Sequence, residues 1–400
     1  MNLNQFLELD KLAREDGKQY LKKRELHNQI ISEKGKHFIG MVGPRGVGKT
    51  VLLKQIAIET KNSFYLSADT LEENNLFEIV KILVERYKVK LLLLDDVHFQ
   101  KEYEQKLKKI FDFLNIKLIF TSSVSLSIFE SSYDLSRRVK LLYLYPFSFR
   151  EYLFFKEDVS LPALTLDKII KKQWPSEYLR YEYLFEDYLK GGLLPFSLEE
   201  ADIYSILKNI LEKTIRKDIP SVAGLQVDEL NDIEKTLKFI GKSPVDGINF
   251  TSVSKNVGIT KYKAEQYVHL LEKAFVLNPV FPEGTNVLKE PKILMYLPFR
   301  LLYKSYDEAI GAIREDFFAE ILRMKGWAFS YLKTKRGAKT PDFLIKAEGE
   351  SIILEVGGKG KGKGKGRQQF KGIKGNKKMI LIDSAETDGI KRPLFLMGLL

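Results

Sequence analysis

The sequence predicts an α/β architecture with a parallel sheet, followed by a helical stretch and an α+β tail. Two observations carry this. Short apolar runs of strand length alternate with segments whose apolar residues recur at helical spacing through the first 145 residues. Beyond Ser148 the alternation stops, and aromatic-rich helical patterns take over until strands return after Gly311. A chain of 400 residues with 44 % hydrophobic and 30 % charged content has enough apolar material for several domain cores.

The elements follow in order. Residues 1–35 read as a charged helical lead-in. His37–Val42 (HFIGMV) is a strand that ends at a glycine, and Lys49–Thr60 is a helix. Phe64–Ser67 is strand-like, and Leu76–Tyr87 places apolar residues on one helical face. Val89–Leu94 is a continuous apolar run, as expected of a strand buried on both faces. Glu102–Leu114 is helical, and Ile116–Phe120 and Val139–Leu144 are strands. The stretch from Ser148 to Pro220 is helical, punctuated by Gly191, Gly192 and Pro195. Short helices occupy Val227–Phe281; a long helix, strands and a basic low-complexity loop complete the chain.

Composition excludes some chemistry. With no cysteine there is no disulfide, no thiol nucleophile and no cysteine-ligated zinc. No apolar run approaches the roughly 20 residues of a membrane helix, and the first residues lack a basic-then-apolar leader. The expectation is a soluble cytoplasmic protein with no membrane partner. The net charge of +12 favours polyanionic partners, although lysine-coated helices alone produce such a balance.

Gly43-Pro44-Arg45-Gly46-Val47-Gly48-Lys49-Thr50 fits G-x-x-x-x-G-K-[ST]. Small residues let backbone N–H groups turn inward around a phosphate, and the following helix points its positive end at the same anion. Gly43–Val51 is therefore the expected nucleotide cradle, with Lys49 on the β- and γ-phosphates and Thr50 on Mg²⁺. Leu91-Leu92-Leu93-Leu94-Asp95-Asp96 is an apolar strand ending in two acids. Asp95 would hold the Mg²⁺ through water, and Asp96 would orient the attacking water. Leu118–Ser123 ends a strand in hydroxyls, of which Ser122 or Ser123 would sense the γ-phosphate. Arg138, with its neighbour Arg137, is a candidate mobile or trans-acting arginine, and Arg45 could also face the nucleotide.

GPRGVGKT, LLLLDDVH, IFTSS and SRRVKLLYLYPFSFREYL together resemble the AAA-type ATPases of bacteria and archaea. Leu144–Tyr152, Gly191–Pro195 and Lys213–Pro220 (KTIRKDIP) continue the resemblance. It implies a P-loop NTPase parallel sheet with a helical lid, then a winged helix, then a restriction-endonuclease-like α+β domain. The expected boundaries are 36–157 for the ATPase core, 158–226 for the lid, 227–300 for the winged-helix-like part and 301–400 for the nuclease-like part. Three positions depart from the family pattern: Asp96 replaces a glutamate, His98 a common glutamine and Arg137 a common glycine. An aspartate is one methylene shorter than a glutamate, so hydrolysis is expected to be slow.

Phe250–Leu277 has helix-turn-helix spacing, with Lys261, Tyr262 and Lys263 opening the second helix. Such residues reach DNA in some modules and serve as plain spacers in others. Further on, Glu315 lies on a helix, Asp342 near the start of a strand and Glu355 at the end of the next. This is similar to the layout of PD-(D/E)xK nucleases, whose carboxylates hold Mg²⁺. The lysine of that motif is displaced: Gly357 stands in its place, and the first lysine is Lys359, in a glycine-lysine loop that includes Gln369. From Lys359 onward 11 basic residues face three acids, a cationic end suited to DNA or RNA whether or not it cuts.

The expected function is Mg²⁺-dependent ATP binding with slow hydrolysis, whose nucleotide state reorganises the lid and C-terminal modules. The alternatives are a non-hydrolysing nucleotide switch, an ATP-regulated nuclease and a DNA-binding regulator. A homo-oligomer or a protein partner is compatible with each.

Overall fold

The structure is a computed structural model; it describes residues 3–71, 76–124, 135–284, 290–332, 341–358, 370, 377–385 and 387–400. The chain forms two compact units. One comprises Met1–Pro146 and Ile210–Gln226, the other Phe147–Asn209 and Val227–Leu400. The expected lid, 158–226, is thus divided, its last turns belonging with the ATPase sheet. Among the described residues no helix is long and apolar enough to cross a membrane.

The first unit is built on β1 (Phe38–Val42), β2 (Ser63–Ser67), β3 (Leu91–Asp95), β4 (Lys117–Ser122) and β5 (Val139–Tyr143). Their order in the sheet is β2-β3-β4-β1-β5, and every neighbouring pair is parallel. The helices α1 (Leu3–Gly17), α2 (Glu25–Ser32), α3 (Lys49–Glu59), α4 (Leu76–Tyr87) and α5 (Tyr103–Phe113) accompany them. All five residues of β1 are buried, because strands flank it on both sides and apolar side chains cover its faces. A parallel sheet puts the C-terminal ends of its strands on one edge, where open α/β sheets bind ligands. β1, β3 and β4 deliver Gly43, Asp95 and Ser122 to that edge.

The lead-in is part of this unit. Asp10 Oδ1 accepts the Tyr65 N–H of the outer strand β2 at 2.7 Å, and Arg14 donates to the carbonyls of Ala57 and Ser63. Lys54 of α3 pairs with Asp16 at 2.7 Å, and Gln55 donates to the carbonyls of Tyr20 and Lys22. The residues from Ile210 contribute a π-helical turn, Thr214–Asp218, and a short helix, Ile219–Ala223.

The second unit opens with Phe149–Glu157, a helix started by a capping box between Ser148 and Glu151. The aromatic-rich helical stretch beyond Ser148 supplies core, with Tyr178, Phe185 and Tyr188 buried. Phe185 and Tyr188 meet Phe149 edge-on at 5.4 and 5.3 Å, and Phe185 meets Phe317 at 5.0 Å. This shared aromatic packing explains why 147–209 belongs to the C-terminal unit. Three helices follow: Val227–Lys242, Phe250–Val257 and Lys261–Lys273, the last two started by Asn249 and Thr260 side chains. An antiparallel ribbon, β6 (Leu277–Val280) with β7 (Lys292–Met295), comes next.

The helix Tyr306–Met324 is started by a capping box between Ser305 and Glu308. It precedes a sheet of β8 (Ala328–Tyr331), β9 (Phe343–Ala347), β10 (Glu350–Gly357), β11 (Lys377–Ile382) and β12 (Lys391–Pro393). These strands lie in the order β12-β11-β10-β9-β8. β8, β9 and β10 run antiparallel, whereas β10, β11 and β12 are parallel. Beneath the ribbon, Arg300 is fully buried and forks onto Asp316 at 2.5 and 2.9 Å. Asp316 also accepts the Met295 N–H at 3.0 Å, so the pair ties β7 to the long helix.

Candidate functional site: the loop after the first strand

The chain turns sharply at Gly43. A Cβ there would sit 1.9 Å from the Leu144 carbonyl oxygen, a backbone atom that cannot yield, so only glycine fits. At the far end of the loop Gly48 takes φ +87°, the left-handed conformation from which α3 starts. The loop is clamped from behind by Arg24, whose guanidinium is buried and donates to the Val47 carbonyl at 3.0 Å and the Tyr145 carbonyl at 2.9 Å.

Lys49 is buried under this loop. Its Nζ donates to the carbonyls of Gly43 at 2.7 Å and Pro44 at 2.8 Å. Burial brings its pKa down to about 8 against the pull of the Asp96 and Asp95 charges. Thr50, the first hydroxyl of α3, donates to Asp95 Oδ2 at 2.7 Å.

Asp95 is almost wholly buried and carries three hydroxyl donors. Besides Thr50, Tyr65 OH donates to Oδ2 at 2.9 Å, and Thr121 Oγ1 donates to Oδ1. Burial and the Asp95 carboxylate push the Tyr65 phenol far above its ordinary range, so it remains a donor. Thr121 also accepts the Asp96 N–H at 2.8 Å. That bond holds Asp96 in the left-handed region (φ 51°), and its side chain is 23 % exposed while that of Asp95 is inside. Burial and the neighbouring Asp95 charge raise the Asp96 pKa.

Arg45 leaves the loop toward the segment after Ile210. Its Nε donates to Asp218 Oδ2 at 2.5 Å and its Nη2 to Oδ1 at 2.7 Å, with Asp218 fully buried. Burial alone would push the Asp218 carboxyl up, but the facing His98 and the Arg45 fork hold it below the ordinary range. His98 is buried with Nδ1 3.9 Å from Asp96 Oδ1 and Nε2 3.8 Å from Asp218 Oδ1. Neither ring nitrogen makes a hydrogen bond to a described residue.

The residues singled out from sequence fall into three groups. Gly43–Val51, Asp95 and Asp96 come together at one sheet edge. Ser122 lies at that edge but spends its hydroxyl locally, donating to the Val124 carbonyl at 2.7 Å. Ser123 Oγ is buried there without a hydrogen-bond partner among the described residues. Arg138 is elsewhere. It precedes β5 at the opposite end of the strands, where its carbonyl accepts the Phe38 N–H and its guanidinium grips Asp112 at 2.9 Å. A five-residue strand spans about 17 Å, so Arg138 does not reach this loop within its own chain.

In the second unit, Lys292 Nζ pairs with Glu315 at 2.5 Å, and Asp342 Oδ2 accepts the Val356 N–H at 2.7 Å beside the buried Glu355. Burial raises the Glu315 pKa against the pull of Lys292. Among the described residues no group of three or more His, Asp or Glu side chains is placed to hold a metal ion. The Asp342 charge acts on both Glu315 and Lys292, so these members of the expected site lie in one neighbourhood. Lys359 and Gln369 lie outside the described residues. In the helix Lys261–Lys273, Tyr262 is 69 % exposed, while Lys261 pairs with Glu290 at 2.5 Å.

Sequence reasoning missed Arg24, Tyr65, Thr121, Asp218 and Lys292. Thr121 was one residue from the chosen hydroxyl, and strand alternation could have preferred it. Asp218 lay inside KTIRKDIP with no role attached, 173 positions from its partner Arg45.

Residues 35–153 match the family described as AAA domain, and residues 182–296 match a domain of unknown function, DUF8612. The uncharacterized protein MJ1637 of Methanocaldococcus jannaschii is 30 % identical over 408 aligned residues, covering 92 % of this chain and 85 % of that protein. Among solved structures, the Walker-type ATPase PABY2304 of Pyrococcus abyssi is 13 % identical over 68 % of this chain and 93 % of its own, with a TM-score of 0.38. The RuvB Holliday junction branch migration motor of Thermotoga maritima is 16 % identical over 75 % and 94 %, with a TM-score of 0.28. With its phosphate loop, its paired acids and its match along nearly the whole length of MJ1637, the chain belongs to that protein's family, whose member here is built on an AAA-type P-loop ATPase domain.

Proposed function

We propose that this protein binds ATP with Mg²⁺ in the Gly43–Val51 loop and hydrolyses it slowly. The observation that carries the reading is the 2.7 Å contact between Thr50 Oγ1 and Asp95 Oδ2, directly beside the buried Lys49. A hydroxyl and a carboxylate at one sheet edge are the oxygen donors a hard divalent cation takes, and the residues fit Mg²⁺. When bound, the ion would neutralise charge on the phosphates. Lys49 would give up its two carbonyl acceptors for phosphate oxygens. Asp96, with its raised pKa, accepts a proton more readily than an ordinary aspartate and orients water. Its short side chain limits the rate. Tyr65 and Thr121 keep the Asp95 carboxylate fixed.

The nucleotide state is passed on through the chain, which crosses between the two units three times. The three helices and the β6–β7 ribbon act as a winged helix, with Tyr262 and Lys263 facing nucleic acid. The sheet from β8 to β12 serves as a nuclease-like fold that grips a phosphate backbone.

The test is Mg²⁺-dependent ATP turnover by the full chain, with and without DNA or RNA. Turnover should be slow, and lost in Lys49→Ala and in Asp96→Ala. Stimulation by DNA or RNA would name the partner class. Nucleotide binding that survives Lys49→Ala unchanged would refute the site. Tight Mg²⁺-dependent binding without turnover would replace the ATPase with a switch.

A further inference from the structure

Resting on that reading, we infer that Asp218 is a positioning residue through which the site tells a nucleoside triphosphate from a diphosphate: it holds Arg45 until a γ-phosphate takes Arg45 from it.

Arg45 is the cation in the middle of the phosphate loop, and its side chain runs to a carboxylate 173 positions away. Both Asp218 oxygens are engaged by the guanidinium, at 2.5 and 2.7 Å, in a pair whose side chains are 13 % and 0 % exposed. A buried fork of this kind is expensive to break by removing one partner. Arg45 therefore stays on Asp218 unless another anion replaces it. The charges that act on Arg45 after Asp218 are those of Asp96 and Asp95. Arg45 thus already faces the group around which a γ-phosphate and its metal would sit.

His98 removes the difficulty of leaving Asp218 bare. Its ring is wholly buried, its Nε2 stands 3.8 Å from Asp218 Oδ1, and neither nitrogen has a hydrogen-bond partner among the described residues. A buried imidazole whose nitrogens lack hydrogen bonds is costly in its own right. A shift of about 1 Å would bring Nε2 to hydrogen-bond distance of Asp218. The other nitrogen faces Asp96 at 3.9 Å. The chain Arg45–Asp218–His98–Asp96 thus joins the loop, the segment after Ile210 and the carboxylate proposed to orient water. Asp218 closes the π-helical turn Thr214–Asp218, a departure from α-helical pairing of the kind found at functional positions. A γ-phosphate releases this turn from the loop; a diphosphate leaves it tied.

The experiment measures ATP and ADP affinities of the full chain with Mg²⁺, using a non-hydrolysable ATP analogue. Asp218→Asn keeps the shape and frees Arg45, so the preference for the triphosphate should rise about tenfold or more, the scale of a charge-assisted hydrogen bond. In an Arg45→Ala background Asp218→Asn should leave that preference unchanged. A gain that persists without Arg45 would come from the lost negative charge alone and would overturn the proposal. Arg45→Gln supplies an independent arm should Asp218→Asn misfold: it should weaken ATP about tenfold and ADP less than twofold, and equal losses count against the idea. Backbone hydrogen exchange across 210–226 should speed up with the analogue and not with ADP; identical protection in both states would refute the release. A wild-type chain that binds neither nucleotide sinks this inference together with the reading beneath it. Binding of both with no change in Asp218→Asn sinks this inference alone.

Discussion

Titrating nucleotide onto the full chain between pH 7 and pH 9.5 would read the protonation of Lys49. Its ammonium is buried beneath the loop and donates to two carbonyls. Burial lowers its pKa to about 8. A phosphate chain needs the charged form and, once bound, stabilises it. The free site therefore loses the proton above pH 8 while the loaded site keeps it, and affinity falls as pH rises. At pH 9, one unit above that pKa, about one-tenth of the free protein is charged. The apparent Kd should then be about tenfold weaker than at pH 7, or about 1.4 kcal/mol. Near pH 8 binding should take up about half a proton, which calorimetry in two buffers of different ionisation enthalpy measures. The charge of Lys49→Arg does not titrate in this range, so that variant should show a flat profile. A wild-type Kd constant within about twofold from pH 7 to 9.5, with no proton uptake, would refute the reasoning. The empty fold responds in the opposite sense. Between pH 8 and 10.5 the unfolded chain binds this proton and the folded chain does not, so folding gains stability as pH rises through that window.

Three further outcomes are expected. Asp316→Ala strands the buried Arg300 and the Met295 N–H, and should cost about 3–5 kcal/mol, read as a fall of roughly 6–20 °C in the melting temperature of the C-terminal unit. Glu320 is buried, accepts the Leu297 N–H at 2.9 Å and is pushed up to about 8, so it keeps its proton when folded. Its contribution is whole below the unfolded value of 4.5 and is lost as pH rises through 8; Glu320→Gln should flatten that part of a melting-temperature profile. Gly43→Ala drives a Cβ into the Leu144 carbonyl and should cost about 3 kcal/mol and most nucleotide binding, read by chemical denaturation beside a nucleotide titration.

The parallel sheet was legible because buried strands leave unbroken apolar runs, and β1, β3 and β4 appeared as such with their chemistry at their C-terminal ends. The loop was legible because its glycines answer steric demands that few other backbones make. What escaped is non-local. Nothing near Asp218 says that its carboxylate meets Arg45, and nothing near Tyr65 says that its hydroxyl meets Asp95. Arg138 precedes β5 in a parallel sheet and so lies at the end away from the loop, which leaves the trans-acting role expected from the sequence as the one open to it. The aromatic stretch from Tyr178 to Tyr188 read as lid because its partners, Phe317 and Phe395, lie more than a hundred residues downstream.

The family match begins at residue 35, but the strand at the rim of the ATPase sheet depends on residues before it. Asp10 caps the Tyr65 amide, and Arg14 satisfies the carbonyls of Ala57 and Ser63. A fragment cut at residue 35 would bare β2 as an unpaired edge, a template onto which a second sheet can add. Such a fragment should self-associate in proportion to its concentration. The rim of this sheet thus relies on a helix that lies wholly outside the family match.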